Sequence, residues 1–279
     1  MGTTLIIGCW GDPRYDAVKY EYGGHVIRSH TSIFAVAQSL APNGDVKVLV
    51  LIPSTLYLHP SMYGDEEFTP GELSYAEFAD KIRERVLNHL RNAWVDTEFD
   101  SKWLNKDDDT FVVAPATMKY RGSGNVYVDM QAPINLYGAY TYMTVLRKLR
   151  ELGDISEVIM DITHGLNYMP TMMLRYASLA VYTYVITSST EKLTVKIVDS
   201  EPYTPQLRDY DITLGIRDVS AENLGKAYSL CKALSMLSIN TVGTLNEAVR
   251  KSGLVALDAL HNGTHTTTAT THKRGTGLA

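Results

Sequence analysis

An α/β fold with a mostly parallel sheet flanked by helices is what this sequence predicts, and three observations predict it. Apolar runs of strand length recur at residues 3–9, 45–52 and 156–162, and they read as strands covered on both faces. Longer segments with apolar residues near i, i+3 and i+4 fall between them, at residues 73–94 and 134–152, and read as helices. Strand, loop, helix and strand in that order call for parallel pairing with right-handed crossovers.

Residues 3–9 form the first strand and run into a glycine-containing loop, Gly8-Cys9-Trp10-Gly11-Asp12-Pro13. Its glycines permit close approach of a ligand to backbone N–H groups. The loop is not a GxGxxG dinucleotide fingerprint. Gly23-Gly24 between two β-prone runs signals a hairpin. Ser29-His30-Thr31-Ser32 precedes the apolar run 33–40, so a hydroxyl-rich cap should start a helix there, either as simple capping or as a helix N-terminus aimed at an anion.

Residues 45–52 make a second buried strand, followed by an acidic loop and a helix over 73–94 in which Phe78, Ile82, Val86 and Leu90 share one face. Another strand is expected at 110–114. A hairpin tip is expected at 119–125, and its two cations read as solvated. The helix 134–152 leads into the strand 156–162, and an apolar helix follows over 168–186. The alternation of 192–198 suggests an outer strand. A last helix should begin at Ser220 or Ala221 and reach Leu237, with a further short helix over 246–260. From Asn262 onward, seven threonines fall in eighteen residues. That tail cannot bury enough surface to offset its ordering and should be disordered.

The chain has 279 residues, net charge −5, 45% hydrophobic and 20% charged residues, ordinary values for a globular protein. The negative charge argues against a broad nucleic-acid-coating surface but not against a small basic pocket. The two cysteines, Cys9 and Cys231, have neither CxxC nor zinc spacing. No apolar run reaches membrane-spanning length. A cytoplasmic protein without disulfides, metal or cofactor is expected. The tail histidines are too irregularly spaced to form a metal site.

Residues 158–170 concentrate the chemistry. An apolar strand interrupted only by Asp161 gives way to Thr163-His164-Gly165-Leu166-Asn167-Tyr168, and Pro170 suits the first turn of the next helix. Thr163 or Asn167 could cap that helix. Polar groups at a strand's carboxyl end, beside a helix N-terminus, occupy the position where open α/β sheets bind ligands.

Taken together, Ile7-Gly8-Cys9-Trp10-Gly11-Asp12-Pro13, the Ser29-His30-Thr31-Ser32 helix start and the stretch from Asp161 to Pro170 resemble the CARF (CRISPR-associated Rossmann fold) sensor domain of type III CRISPR accessory proteins, in particular the CARF–HEPN ribonucleases. The resemblance covers roughly residues 1–215. It implies a Rossmann-like homodimer that binds cyclic oligoadenylate, commonly the tetra-adenylate ring, across the dimer interface. Carried onto this sequence, the ligand shell includes Gly8, Cys9, Trp10, Gly11 and Asp12, then Thr163, His164, Gly165, Leu166 and Asn167. Ser29, Thr31 and Ser32 add the second helix start, and Trp10 or Tyr168 could stack on adenine.

The family's HEPN domain carries an Arg-x(4–6)-His motif. Arg83 and His89 match that spacing, but on a helix inside the sensor half and on different faces. The expected division is a CARF-like domain at 1–217, a helical extension at 218–261 that is too short for a HEPN domain, and the tail 262–279. The chain is then a stand-alone sensor or a truncation, with RNA as a partner only where an effector domain is supplied. Two alternatives remain. One is a metal-independent ring nuclease, in which the ring's own 2′-OH attacks the phosphorus, His164 serves as general acid or base and Thr163 or Asn167 holds phosphate oxygens. The other is a CARF-linked transcriptional regulator, for which residues 219–260 carry few cations.

Overall fold

The computed structural model describes residues 2–12, 14–58, 73–95, 97, 100, 103–104, 110–121, 126–130, 134–165, 168–207, 210–237 and 272–273. Eight strands form the main sheet: β1 (Thr3–Cys9), β2 (Val18–Tyr22), β3 (His25–Ser29), β4 (Val46–Pro53), β5 (Phe111–Ala114), β8 (Ile155–Asp161), β9 (Leu193–Ser200) and β10 (Thr213–Leu224). Their order is β3-β2-β10-β9-β8-β1-β4-β5. The block from β9 to β5 is parallel throughout, as predicted. A separate hairpin pairs β6 (Met118–Arg121) with β7 (Val126–Met130); the tip between them lies outside the described residues.

Side-chain alternation along the central strands sorts residues to two faces, and each face carries its own helical layer. Ile6, Val48, Val50 and Ile52 point to the side covered by α1 (Ser32–Leu40) and α2 (Tyr75–Ala93). Leu5, Ile7, Leu49 and Leu51 point to the other, under α3 (Ile134–Leu152), α4 (Met169–Thr187) and α5 (Lys226–Met236). The predicted face of α2 is the buried one: Phe78, Ile82, Val86 and Leu90 are all in the core. Ser74 starts this helix through a reciprocal capping box with Glu77. Helix α3 approaches α4 closely because Gly138 has no Cβ; one added there would lie 2.2 Å from the Tyr176 ring.

Four expectations are corrected. Strand β9 is not an outer strand, since β10 covers its far edge antiparallel. Its alternation arises from half-buried polar positions such as Lys196, which pairs with Glu157 of β8 at 2.9 Å. The helix expected from Ser220 or Ala221 is strand until Leu224, so the helical extension begins at Lys226. Arg217, Asp218, Val219 and Ala221 are all exposed and a register shift falls between Asp218 and Ser220, so no apolar alternation marks β10 as a strand there. Neither Thr31 nor Thr163 caps a helix through its side chain. In the tail, His272–Lys273 pair with β7; the rest of the tail and residues 246–260 lie outside the described residues.

No helix among the described residues is long and apolar enough to cross a membrane.

Candidate functional site

The loops after β1 and β8 leave the sheet side by side because Gly8 and Asp161 are partners in the parallel ladder. Both loops therefore sit at the carboxyl ends of adjacent strands. Gly8 lets α1 approach closely: a Cβ there would lie 2.8 Å from Cδ1 of Ile33, which would have to shift.

Asp161 organises the site. It is 2% exposed. Its Oδ2 accepts from Ser32 Oγ at 2.5 Å and its Oδ1 accepts from the Thr163 backbone N–H at 2.9 Å. One carboxylate thus ties the start of α1 to the loop after β8. Thr163 Oγ1 in turn accepts from the Ser200 backbone N–H at 3.0 Å, which fastens the same loop to the end of β9. A buried carboxylate persists when such donors replace its water.

His164 stands over the start of α1. The Ser32 backbone N–H donates to His164 Nε2 at 3.3 Å, so in the neutral ring Nδ1 carries the proton. Desolvation lowers the His164 pKa from its ordinary value, against the opposing attraction of Asp161 and Asp199. The ring lies against Tyr15, with centroids 4.3 Å apart, and Tyr15 Oη accepts from the Gly11 N–H. The His164 carbonyl accepts from the Cys9 thiol at 3.3 Å. Gly165 follows at φ +124°, where a Cβ would lie 2.7 Å from Cys9 Sγ and 3.0 Å from Pro170. Only glycine suits both that backbone and that space. Tyr168 is half-buried; its Oη accepts from the Thr117 N–H, and its ring meets Tyr137 edge-on at 5.7 Å.

The structure divides the residues singled out from the sequence. Asp12, Thr163, His164, Gly165 and Tyr168 are at least partly exposed on the loops. Gly8, Cys9, Gly11, Ser29, Thr31 and Ser32 are buried beneath them. Trp10 is 1% exposed and packed edge-on or tilted against Phe34, Trp94 and Phe111. It is a core residue and has no face to offer an adenine, which corrects its expected stacking role. Cys9 is held as a thiol, because burial first and Asp161 second push its pKa up. The start of α1 does not present Ser32 N–H to solvent, since His164 takes it. Leu166 and Asn167 lie outside the described residues. Sequence reasoning missed Asp161 as the organiser, although it is the one charge in the apolar run 158–162. It also missed Tyr15 and Ser200, which carry no local signal.

Comparison with known proteins identifies a family. The family model described as "CRISPR system endoribonuclease Csx1, CARF domain" matches residues 5–202. A CRISPR system endoribonuclease Csx1 from Methanocaldococcus jannaschii is 27% identical over 206 residues, covering 71% of this chain and 37% of that protein. The chain therefore spans well under half the length of that relative.

Proposed function

The chain belongs to the Csx1 CARF-domain family of CRISPR-associated proteins, and from that premise we propose that it is a cytoplasmic sensor of cyclic oligoadenylate, cyclic tetra-adenylate first, in type III CRISPR defence. The ring binds across a homodimer, each copy contributing the loops after β1 and β8. A ring with even symmetry suits a two-fold interface that presents the same patch twice. The observation that carries this reading is the Asp161 tie, which holds Thr163, His164 and Gly165 together at the carboxyl end of adjacent parallel strands. Thr163 and His164 supply hydrogen-bonding groups for phosphate and ribose, and Tyr168 supplies the aromatic face expected for adenine. The M. jannaschii relative carries the name of an endoribonuclease; for this chain, ribonuclease activity with RNA as a partner is proposed only where an effector domain is supplied.

Melting curves of the full chain with cyclic tri-, tetra- and hexa-adenylate test the proposal. A ligand that binds only the folded state stabilises it by about 2.7 kcal/mol at a hundredfold excess over its Kd. The tetra-adenylate ring is expected to give the largest shift, and the Thr163→Val/His164→Ala double variant to lose it. No shift with any ring would refute the sensor. Light scattering reads the dimer; a strict monomer with and without ligand would remove the shared pocket.

The ring-nuclease reading draws on His164: desolvation favours its neutral ring, and acting as general base would require Nε2 to give up the Ser32 N–H it accepts from. An intact labelled ring after long incubation with excess protein would exclude it.

A further inference from the structure

Every phosphate of a cyclic oligoadenylate carries a negative charge, yet the groups that line the proposed ring site are neutral or acidic. The chain has a net charge of −5. Asp161 is buried beneath the site and Asp12 lies on the loop after β1. Asp199, the residue before Ser200, is close enough for its charge to act on His164. Arg14, the cation of the first loop, is engaged by both oxygens of Asp12. Desolvation favours the neutral form of His164. Thr163, His164 and Tyr168 therefore offer hydrogen bonds and an aromatic face but no positive charge. A ligand of several phosphates calls for one.

The end of β9 places a cation within reach. The Ser200 backbone N–H donates to Thr163 Oγ1 at 3.0 Å, so this strand end is fastened to the loop after β8. Beside it β10 runs antiparallel, with Ile216 opposite Ser200 and Arg217 opposite Asp199. Residues directly opposite in such a ladder carry their side chains on the same face. Neighbouring strands lie about 4.8 Å apart, which sets Arg217 two strands, or about 10 Å, from the end of β8 where Thr163 and His164 begin. A long side chain and a ligand lying across the strand ends can share that distance.

Arg217 is also unspent. Its side chain is exposed, and no ion pair joins it to a described residue, Asp199 included. Attraction to an exposed carboxylate across the ladder contributes little, so turning to a phosphate costs little. Other exposed cations are placed elsewhere. Lys192 precedes β9 and Lys226 follows β10, both at the amino end of the parallel strands. Arg150 lies in the last turn of α3, which leads into β8 at that same end. Arg175 stands on α4 over the Tyr176 ring.

We propose that Arg217 is the phosphate-binding cation of the ring site, one from each copy of the homodimer, with its planar fork on a phosphate that crosses the end of β9. This assignment rests on the sensor reading and supplies the charge which that reading lacks. The guanidinium presents paired donors that match phosphate oxygens, and an ammonium does not.

Titration calorimetry of the full chain with cyclic tetra-adenylate, repeated from 50 to 300 mM salt, tests it. Arg217→Gln is expected to bind the ring at least tenfold more weakly, with a urea midpoint like that of wild type. Its plot of log affinity against log salt should be shallower by about 1.4, since each neutralised phosphate contributes about 0.7 and two copies act on one ring. Arg217→Lys should restore the slope and only part of the affinity. Arg150→Gln makes the same charge change at the far end of the sheet and should bind like wild type. Affinity of Arg217→Gln within twofold of wild type, an unchanged salt slope, or an equal loss in Arg150→Gln would overturn the assignment while leaving the sensor intact. Absence of ring binding by wild type at every salt concentration would remove the sensor reading and Arg217 with it.

Discussion

Asp161 is the residue whose replacement tests the site most directly. Asp161→Ala removes both acceptors at once and leaves Ser32 Oγ and the Thr163 N–H inside the protein without the carboxylate that receives them. Hydrogen bonds to a charged group are worth about 1.5–3 kcal/mol each. Because the two share one carboxylate, a loss of about 3–5 kcal/mol is expected, as for other broken buried charge contacts. Asp161→Asn keeps the shape: its carbonyl can accept from Thr163 N–H while its amide donates to Ser32 Oγ. About 1–2 kcal/mol is expected for that change. Urea unfolding of the three proteins measures the ladder, provided the slope is unchanged. A second readout separates the charge from the shape. Asp161 attraction is the largest influence holding the His164 pKa up against desolvation, so in Asp161→Asn the His164 pKa should fall further, as seen by NMR titration of its ring. An alanine variant within 1 kcal/mol of wild type, or an asparagine variant as damaged as alanine, would refute the reasoning.

The depressed His164 pKa also sets a pH dependence. The unfolded chain takes up a proton near the ordinary histidine value of about 6.5, while the folded chain does so only at lower pH. The unfolded state therefore binds more protons in that window, and stability falls as pH drops from about 6.5 through the folded value. The difference in urea midpoint between pH 7.5 and pH 5 should shrink in His164→Gln; an unchanged difference would assign the effect to other groups. Gly165→Ala meets both a φ of +124° and a contact of 2.7 Å to Cys9 Sγ, and about 2–4 kcal/mol of destabilisation is expected from backbone strain and overpacking. Thermal or urea unfolding near wild-type values would show that the loop can be rebuilt. In Gly138→Ala, helix propensity favours alanine by about 1 kcal/mol, yet the new methyl would stand 2.2 Å from the Tyr176 ring. Net destabilisation of about 1–3 kcal/mol is expected from overpacking, with recovery when Tyr176→Ala is added; a stabilised single variant would show that α3 and α4 separate freely.

Apolar patterning made the sheet legible. The strand over residues 3–9, the glycine-turned hairpin and the buried stripe of α2 follow from local periodicity, and burial in a parallel sheet reinforces each signal. The pattern failed where one side of a strand faces solvent. Residues 217–219 of β10 are exposed in succession around a register shift, and in sequence that stretch looks like the approach to a helix start. For β9 the outer position was inferred from alternation, but whether a strand is an edge depends on what the chain does afterwards, and here β10 returns to cover it.

The site was legible as a pair of loops but not as a set of exposed atoms. A serine or threonine before a helix reads as a cap or as an anion donor, and nothing local decides between those roles and a third. Ser32 takes the third: its hydroxyl is spent on Asp161, 129 residues away, and its N–H on His164, 132 residues away. Ser29 is likewise committed to Asp100. Trp10 sits in a polar loop sequence, yet its ring is surrounded by Phe34, Trp94 and Phe111 contributed by later elements. These partners fix direction, and direction separates a ligand contact from a support. Thr163 and His164 are partly exposed and are also tied inward, by Ser200 N–H and Ser32 N–H. If the proposed ring site is right, variants of the buried set should weaken ring binding and destabilise the fold together, whereas Thr163→Val/His164→Ala should weaken the ring more than the loss of those two contacts destabilises the fold.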